Sequence, residues 1–308
     1  MASKLSTRFL HDERAAREHL EAVLWPNGPV CPRCGATDRI YELAGKSTRP
    51  GVRKCGHCRK PFTVTVGTLF ERSHVALHKW MQAICLLTCS KKGFSSHQLH
   101  RVLGVTYETA WFMSHRIRAA MADGSLPPLG GAGKVVEADE TYIGRKTGVA
   151  KPKGGPSGMR PVMALVERGG SVRSFHVDDV NSKTAKAMLD ANADKASALM
   201  TDEGRHYRKA GKEFVQHERV HHTKGEYVRD GAHTNTIEGY FSVFKRGMKG
   251  VYQHCAEKHL HRYLAEFDFR YNNRTAVGVD DQERALKALA GAAGKRLLYR
   301  DSYVAGGA

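Results

Sequence analysis

The sequence has no long apolar run. The longest, around residues 84–88, is far too short to span a bilayer, which takes about 20 consecutive apolar residues. The opening residues, Met1 to Arg8, lack the apolar core of an export signal. A soluble cytoplasmic protein without a membrane partner is the expectation. Acidic residues are also short. Asp and Glu number 31 against 49 Lys and Arg, a formal charge of +18. Such an excess suits a polyanionic partner, most often nucleic acid. Cysteine is sparse and odd in number: there are seven, and Cys85, Cys89 and Cys255 stand apart from two tight pairs. An odd count with Cys-x-x-Cys spacing argues against a disulfide framework and for a metal in a reducing compartment.

What is present begins with a short helix over residues 12–24, stopped by Pro26, Asn27 and Gly28. Two knuckles follow, Cys31 with Cys34 and Cys55 with Cys58, with 20 residues between the pairs. This spacing predicts one structural Zn²⁺, because four thiolates close a tetrahedral shell and leave no position for chemistry. Residues 62–66 alternate as a strand that completes the ribbon.

Residues 77–88 form a mostly apolar helix, on which Cys85 and Cys89 read as buried core thiols. Next comes a helix, a turn at Gly104 and a second helix, with Ser95 or Ser96 capping the first and Thr106 the second. This is the helix-turn-helix pattern. Tyr107 and Glu108, with Thr109 beside them, would meet base edges, and His115, Arg116 and Arg118 would meet phosphate. A linker begins at Asp123. The domains expected are an N-terminal helical segment (1–28), a zinc ribbon (29–70), a helix-turn-helix region (71–125), a larger α/β domain (134–275), and a C-terminal helix with a loose tail (276–308).

The α/β domain opens with Val135, Val136 and Ala138 leading to Asp139 and Glu140. A carboxylate at the end of a buried strand is costly unless it is paired or bound to a cation. A mobile basic loop follows over residues 145–160, then a hairpin around Gly169 and Gly170, a helix over 182–193 and a second apolar strand ending in Asp202. A fifth strand is expected at residues 214–217. Helices follow over 236–249, 257–271 and 280–290. This order is that of a ribonuclease H-like α/β fold with a mixed five-stranded sheet. Its first and fourth strands are neighbours, so Asp139 and Asp202 should meet. Glu140 should face away, since successive strand residues point to opposite sides. A third ligand would come from the next helix, where Asn235, Glu238 and Lys245 share a face. Glu238 follows Asp202 with 35 residues between.

These motifs resemble the bacterial insertion-sequence transposases of the DDE class, in the zinc-ribbon group related to the Merlin elements. The resemblance runs from about Cys31 to Arg274 and rests on several motifs. They are the two knuckles, Glu137 to Gly144, Thr201 with Asp202 and Glu203, the helix from Thr234 to Gly247, and residues 259–274. It implies Asp139 and Asp202 as the acidic pair, and Glu or Asn as the third member. Glu238 is chosen and Asn235 kept as its rival. It also implies two Mg²⁺ ions, with Mn²⁺ as a substitute, bridged by Asp139 and held by Asp202 and Glu238. Lys245, Arg246 and the loop from Lys151 to Arg160 would hold phosphate. The implied activity is cleavage at terminal inverted repeats and transfer of the freed 3′ end to target DNA. It would be carried out near the bacterial nucleoid by a homo-oligomer on DNA. The alternatives are a non-catalytic DNA-binding regulator and a nuclease that cuts without joining.

Overall fold

The computed structural model describes residues 4–122, 126–146, 148–149, 155–220 and 232–297. The linker's first residues, Lys151 and Lys153 of the basic loop, and the C-terminal tail lie outside the described residues. No described helix is long and apolar enough to cross a membrane. The described residues form two compact units.

In the first unit, α1 (Glu13–Leu24) is capped by Asp12, which accepts a hydrogen bond from the Ala15 N–H. A small antiparallel sheet follows, built from β1 (Ile40–Glu42), β2 (Arg53–Cys55) and β3 (Pro61–Phe62). The strand expected over 62–66 stops at Phe62. The Thr63 and Thr65 hydroxyls bond each other at 2.8 Å, Val66 N–H closes a turn onto the Thr63 carbonyl, and the Thr68 hydroxyl donates to the Thr65 carbonyl. Threonine hydroxyls here offer the backbone a turn in place of a ladder.

Helices α2 (Leu77–Cys89), α3 (Ser96–Leu103) and α4 (Tyr107–Met121) come next. Ser95 and Gln98 form a reciprocal capping box on α3, a device worth about 1 kcal/mol. Gly104 takes the left-handed conformation at φ 59° and Thr106 caps α4, so the helix-turn-helix is present. Cys85 is half-buried and Cys89 is exposed, contrary to the expectation of core thiols. The buried stripe of α2 runs through Trp80, Met81, Ile84 and Leu87, and both cysteines fall beside it.

The second unit is built on a five-stranded sheet. Its strands are β4 (Val135–Arg145), β5 (Met159–Glu167), β6 (Val172–His176), β7 (Ala198–Thr201) and β8 (Gln216–Arg219), in the order β6-β5-β4-β7-β8. β4, β5 and β6 pair antiparallel, while β7 runs parallel to both β4 and β8. The mixed ribonuclease H-like sheet is therefore as expected, with β8 starting two residues later than the sequence suggested. Between β6 and β8 the chain also forms α5 (Ser182–Asn192) and the short α6 (Arg208–Gly211), and after β8 come α7 (Asn235–Gly247) and α8 (Leu260–Asn272).

Apolar side chains fill both faces of this sheet. Val136, Ala138, Met163 and Leu165 pack with α5, and Ile143, Val162 and Ala164 pack with Ile237, Phe241 and Phe244 of α7 and with α8. The outer edge of β6 is covered by α8. Asn272 bonds both the N–H and the carbonyl of Val172, and Asp268 accepts from Ser174 N–H. A sheet edge closed in this way offers no template for a further strand. After α8 the chain returns to the first unit, where α9 (Asp281–Ala290) packs on α2 and Arg284 donates to the Thr88 carbonyl.

Candidate active site and metal centres

The parallel pairing of β4 with β7 ends at Ala138 opposite Thr201. The next residue on each strand is an aspartate. Asp139 and Asp202, joined by Glu140, each present a carboxylate oxygen within 4.8 Å of the others. The Asp139 carboxylate accepts from the Glu140 N–H at 2.7 Å, and Asp202 accepts from the Gly204 N–H at 2.9 Å. These local bonds hold both side chains at the mouth of the sheet.

Glu140 is a correction. Strand alternation does put it on the α5 side, but β7 has ended, so its longer side chain reaches round the strand end to the pair of aspartates. One oxygen, Oε2, is 3.0 Å from His206 Nε2 and accepts from the Tyr207 hydroxyl at 3.2 Å. Tyr207 is fully buried. Sequence reasoning missed His206 and Tyr207. Their only signal was a position shortly after Asp202, where the chain must turn back beside that strand.

Three carboxylates this close repel one another. Two unit charges about 4–5 Å apart repel by roughly 3–4 kcal/mol at an effective dielectric near 20. Burial, then the charges of Asp202 and Glu140, push Asp139 up to about 8. Burial also raises Asp202, against the bond from Gly204. The group cannot carry its full charge alone, and a bound cation is the economical remedy. The donor set is all oxygen, which suits Mg²⁺ or Mn²⁺ rather than a thiophilic metal.

Asn235 is the first residue of α7, and Glu238 lies one turn on. Both are exposed, and Glu238 accepts from the Thr234 hydroxyl at 2.9 Å. Glu238 stands outside the 4.8 Å group, yet its charge is among those that raise Asp139. Lys245 lies two turns further along the same polar stripe. Arg246 is exposed, with its guanidinium held on the Ser242 hydroxyl at 2.6 Å.

In the first unit the four knuckle cysteines converge, all sulfurs lying within 4.8 Å of one another. Cys31 is 3.6 Å from Cys58, and Cys34 is 3.6 Å from Cys55, sulfur to sulfur. A tetrahedral Zn–S shell at about 2.3 Å has edges of about 3.8 Å, so the residues fit the ion. Burial raises the Cys31 thiol, but the N–H groups of Arg33 and Cys34 together with the Cys34 and Cys58 side chains outweigh this and leave it lowered.

On the helix-turn-helix, Tyr107 and Glu108 are exposed, and the Tyr107 ring stacks on His97 at 4.4 Å. His115, Arg116 and Arg118 do not face outward, which corrects their assignment to phosphate. All three are buried. Arg116 donates to the carbonyls of Leu69, Glu71 and Leu297, and Arg118 donates to the Ser114 hydroxyl. Helix α4 is enclosed over most of its length, so these guanidiniums satisfy interior backbone and side-chain oxygens.

Residues 128–272 match the family model described as the ISXO2-like transposase domain, and residues 11–61 match the transposase zinc-ribbon domain. Among curated proteins, an uncharacterized protein in transposable element ISH50 of Halobacterium salinarum is 29% identical over 278 residues. That alignment covers 84% of this chain and 90% of the relative.

Proposed function

We propose, given that the chain belongs to the insertion-sequence transposases of the zinc-ribbon group, that it cuts DNA at its element's ends and joins them to target DNA. The chemistry is placed at Asp139 and Asp202. The observation that carries this reading is the carboxylate group at the β4–β7 edge, where burial and then the charges of Asp202 and Glu140 push Asp139 up to about 8.

In this reading Asp139 and Asp202 hold divalent Mg²⁺ together with a third ligand from α7. Glu238 is preferred over Asn235, because its charge already acts on Asp139. Glu140 adds a fourth oxygen donor, oriented by His206 and Tyr207. When bound, such a cation polarises the scissile phosphate and activates the attacking hydroxyl. Lys245 and Arg246 offset phosphate charge along the same helix. The ribbon, with the exposed start of α4 at Tyr107 and Glu108, recognises the terminal repeats. Joining two ends in one event calls for at least two copies on the DNA, in the nucleoid-containing cytoplasm.

The test is product analysis. Purified protein is incubated with Mg²⁺, labelled element ends and a supercoiled plasmid. Ends covalently joined to the plasmid support the proposal. Cut but unjoined ends would make the protein a nuclease, and binding without cutting would make it a regulator.

A further inference from the structure

Glu137 is fully buried yet takes no part in the carboxylate group two residues away. Residues two apart on a strand share a face, so Glu137 looks the same way as Asp139. A buried carboxylate is costly unless every oxygen is answered. The answer here comes largely from the start of α7. Ile237 N–H donates to Oε2 at 2.9 Å and the Thr236 hydroxyl to Oε1 at 2.9 Å. Arg168 donates from Nε to Oε1 at 2.6 Å and from its terminal nitrogen to the His233 carbonyl at 2.8 Å. His233 Nδ1 lies 3.3 Å from the same carboxylate.

The side-chain capping of α7 by its own segment is weak: His233 Nδ1 accepts from the Asn235 N–H at a long 3.4 Å. Thr234 occupies the cap position, but its hydroxyl donates to Glu238. The strand therefore supplies the closer cap, through the 2.9 Å bond from the Ile237 N–H to Glu137. A negative charge at a helix N-terminus is favourable, and charge-assisted bonds are the short, directional ones. Glu137 thus ties the strand that carries Asp139 to the first turn of the helix that carries Glu238.

We infer that Glu137 is a positioning residue, which sets the height and rotation of α7 so that Glu238 meets the Asp139–Asp202 pair. The inference rests on the reading of α7 as the source of the third ligand. Its chemistry is specific to a carboxylate: both oxygens accept at once, whereas a glutamine offers one acceptor and sets an NH₂ group against donors.

The experiment is Mn²⁺ titration of the zinc-loaded full-length protein, followed by electron paramagnetic resonance. Glu137→Gln, Glu238→Gln and the double variant are compared with the natural chain. Thr236→Val removes one donor to Glu137 without leaving a charge unpaired, and serves where Glu137→Gln lowers the folded yield. Single changes at Glu137 and Thr236 should weaken Mn²⁺ binding about tenfold or more, as loss of an orienting partner does. Neither should weaken it further once Glu238 is already Gln. An equal loss in both backgrounds, or no loss in either, would overturn the inference. If Glu238→Gln by itself leaves Mn²⁺ binding unchanged, the ligand role of α7 fails first and the positioning role falls with it.

Discussion

Ala138 sits opposite Thr201 on the last rung between β4 and β7, and the residue after each is an aspartate. Parallel neighbours end at the same edge of a sheet, so one register decides where both carboxylates go. A slip of one residue would turn the side chains of a whole strand to the other face. The apolar residues on both faces of β4 fix that register, and the core thereby sets the site.

Glu140 provides a graded test of the carboxylate group. Glu140→Gln removes one of the charges that raise Asp139 and weakens the grip on a cation. The Mg²⁺ concentration for half-maximal cleavage should rise about tenfold, with a smaller change in the maximal rate. Titrating Mg²⁺ against cleavage checks this. An unchanged Mg²⁺ requirement would leave Glu140 only a partner for His206 and Tyr207.

The ribbon should stand or fall with its ion. Metal analysis of the purified protein should give one zinc per chain. Cys31→Ser should lose it, and with it about 10 kcal/mol or more of folding free energy in this small sheet. Binding to element ends, measured by gel shift, should weaken sharply, while the carboxylate site should still take up Mn²⁺. Full end binding by a zinc-free variant would remove the ribbon from recognition.

Helix α4 offers a test that separates the proposed recognition from stability. Tyr107→Ala and Glu108→Ala change exposed side chains and should lower affinity or selectivity for the ends while leaving the melting temperature nearly unchanged. Arg116→Ala breaks bonds to buried carbonyls and should cost about 2–4 kcal/mol of stability. Thermal melts and binding assays on the same preparations separate the two effects.

Asp268 gives a pH prediction away from the metal ligands. It is held by the hydroxyls of Tyr240 and Ser174 and by the Ser174 N–H. Burial pushes it up to about 7 from an ordinary 3.8, outweighing those bonds. The folded state therefore binds this proton more tightly than the unfolded chain. The stability it contributes is complete below about pH 4 and falls by up to about 1.4 kcal/mol per pH unit until about pH 7. Asp268→Asn should flatten that part of the profile in urea denaturation between pH 4 and 8. An identical slope in both proteins would refute the assignment.

Much of this was legible in the sequence because its signals are local. Cysteine spacing marked the ribbon, caps at Ser95 and Thr106 marked two helices, and two apolar runs ending in aspartate marked the paired strands. What escaped depends on distant neighbours. The spacing of Arg116 and Arg118 could not reveal that the carbonyls of Leu69 and Leu297 and the Ser114 hydroxyl wait for them. Strand alternation placed Glu140 correctly by its backbone and wrongly by its carboxylate, since the end of β7 opened the way round. Glu137 stood inside the most telling motif. Its burial was invisible without the partner helix, 100 residues along the chain at Ile237.

The most direct measurement compares Asp139→Asn and Asp202→Asn with the natural chain on labelled element ends in Mg²⁺, scoring cleavage and end binding in parallel. Cleavage should fall by roughly three orders of magnitude or more, about 4 kcal/mol of transition-state stabilisation, with end binding retained. Full cleavage by either folded variant would contradict the assignment of the chemistry to these two carboxylates.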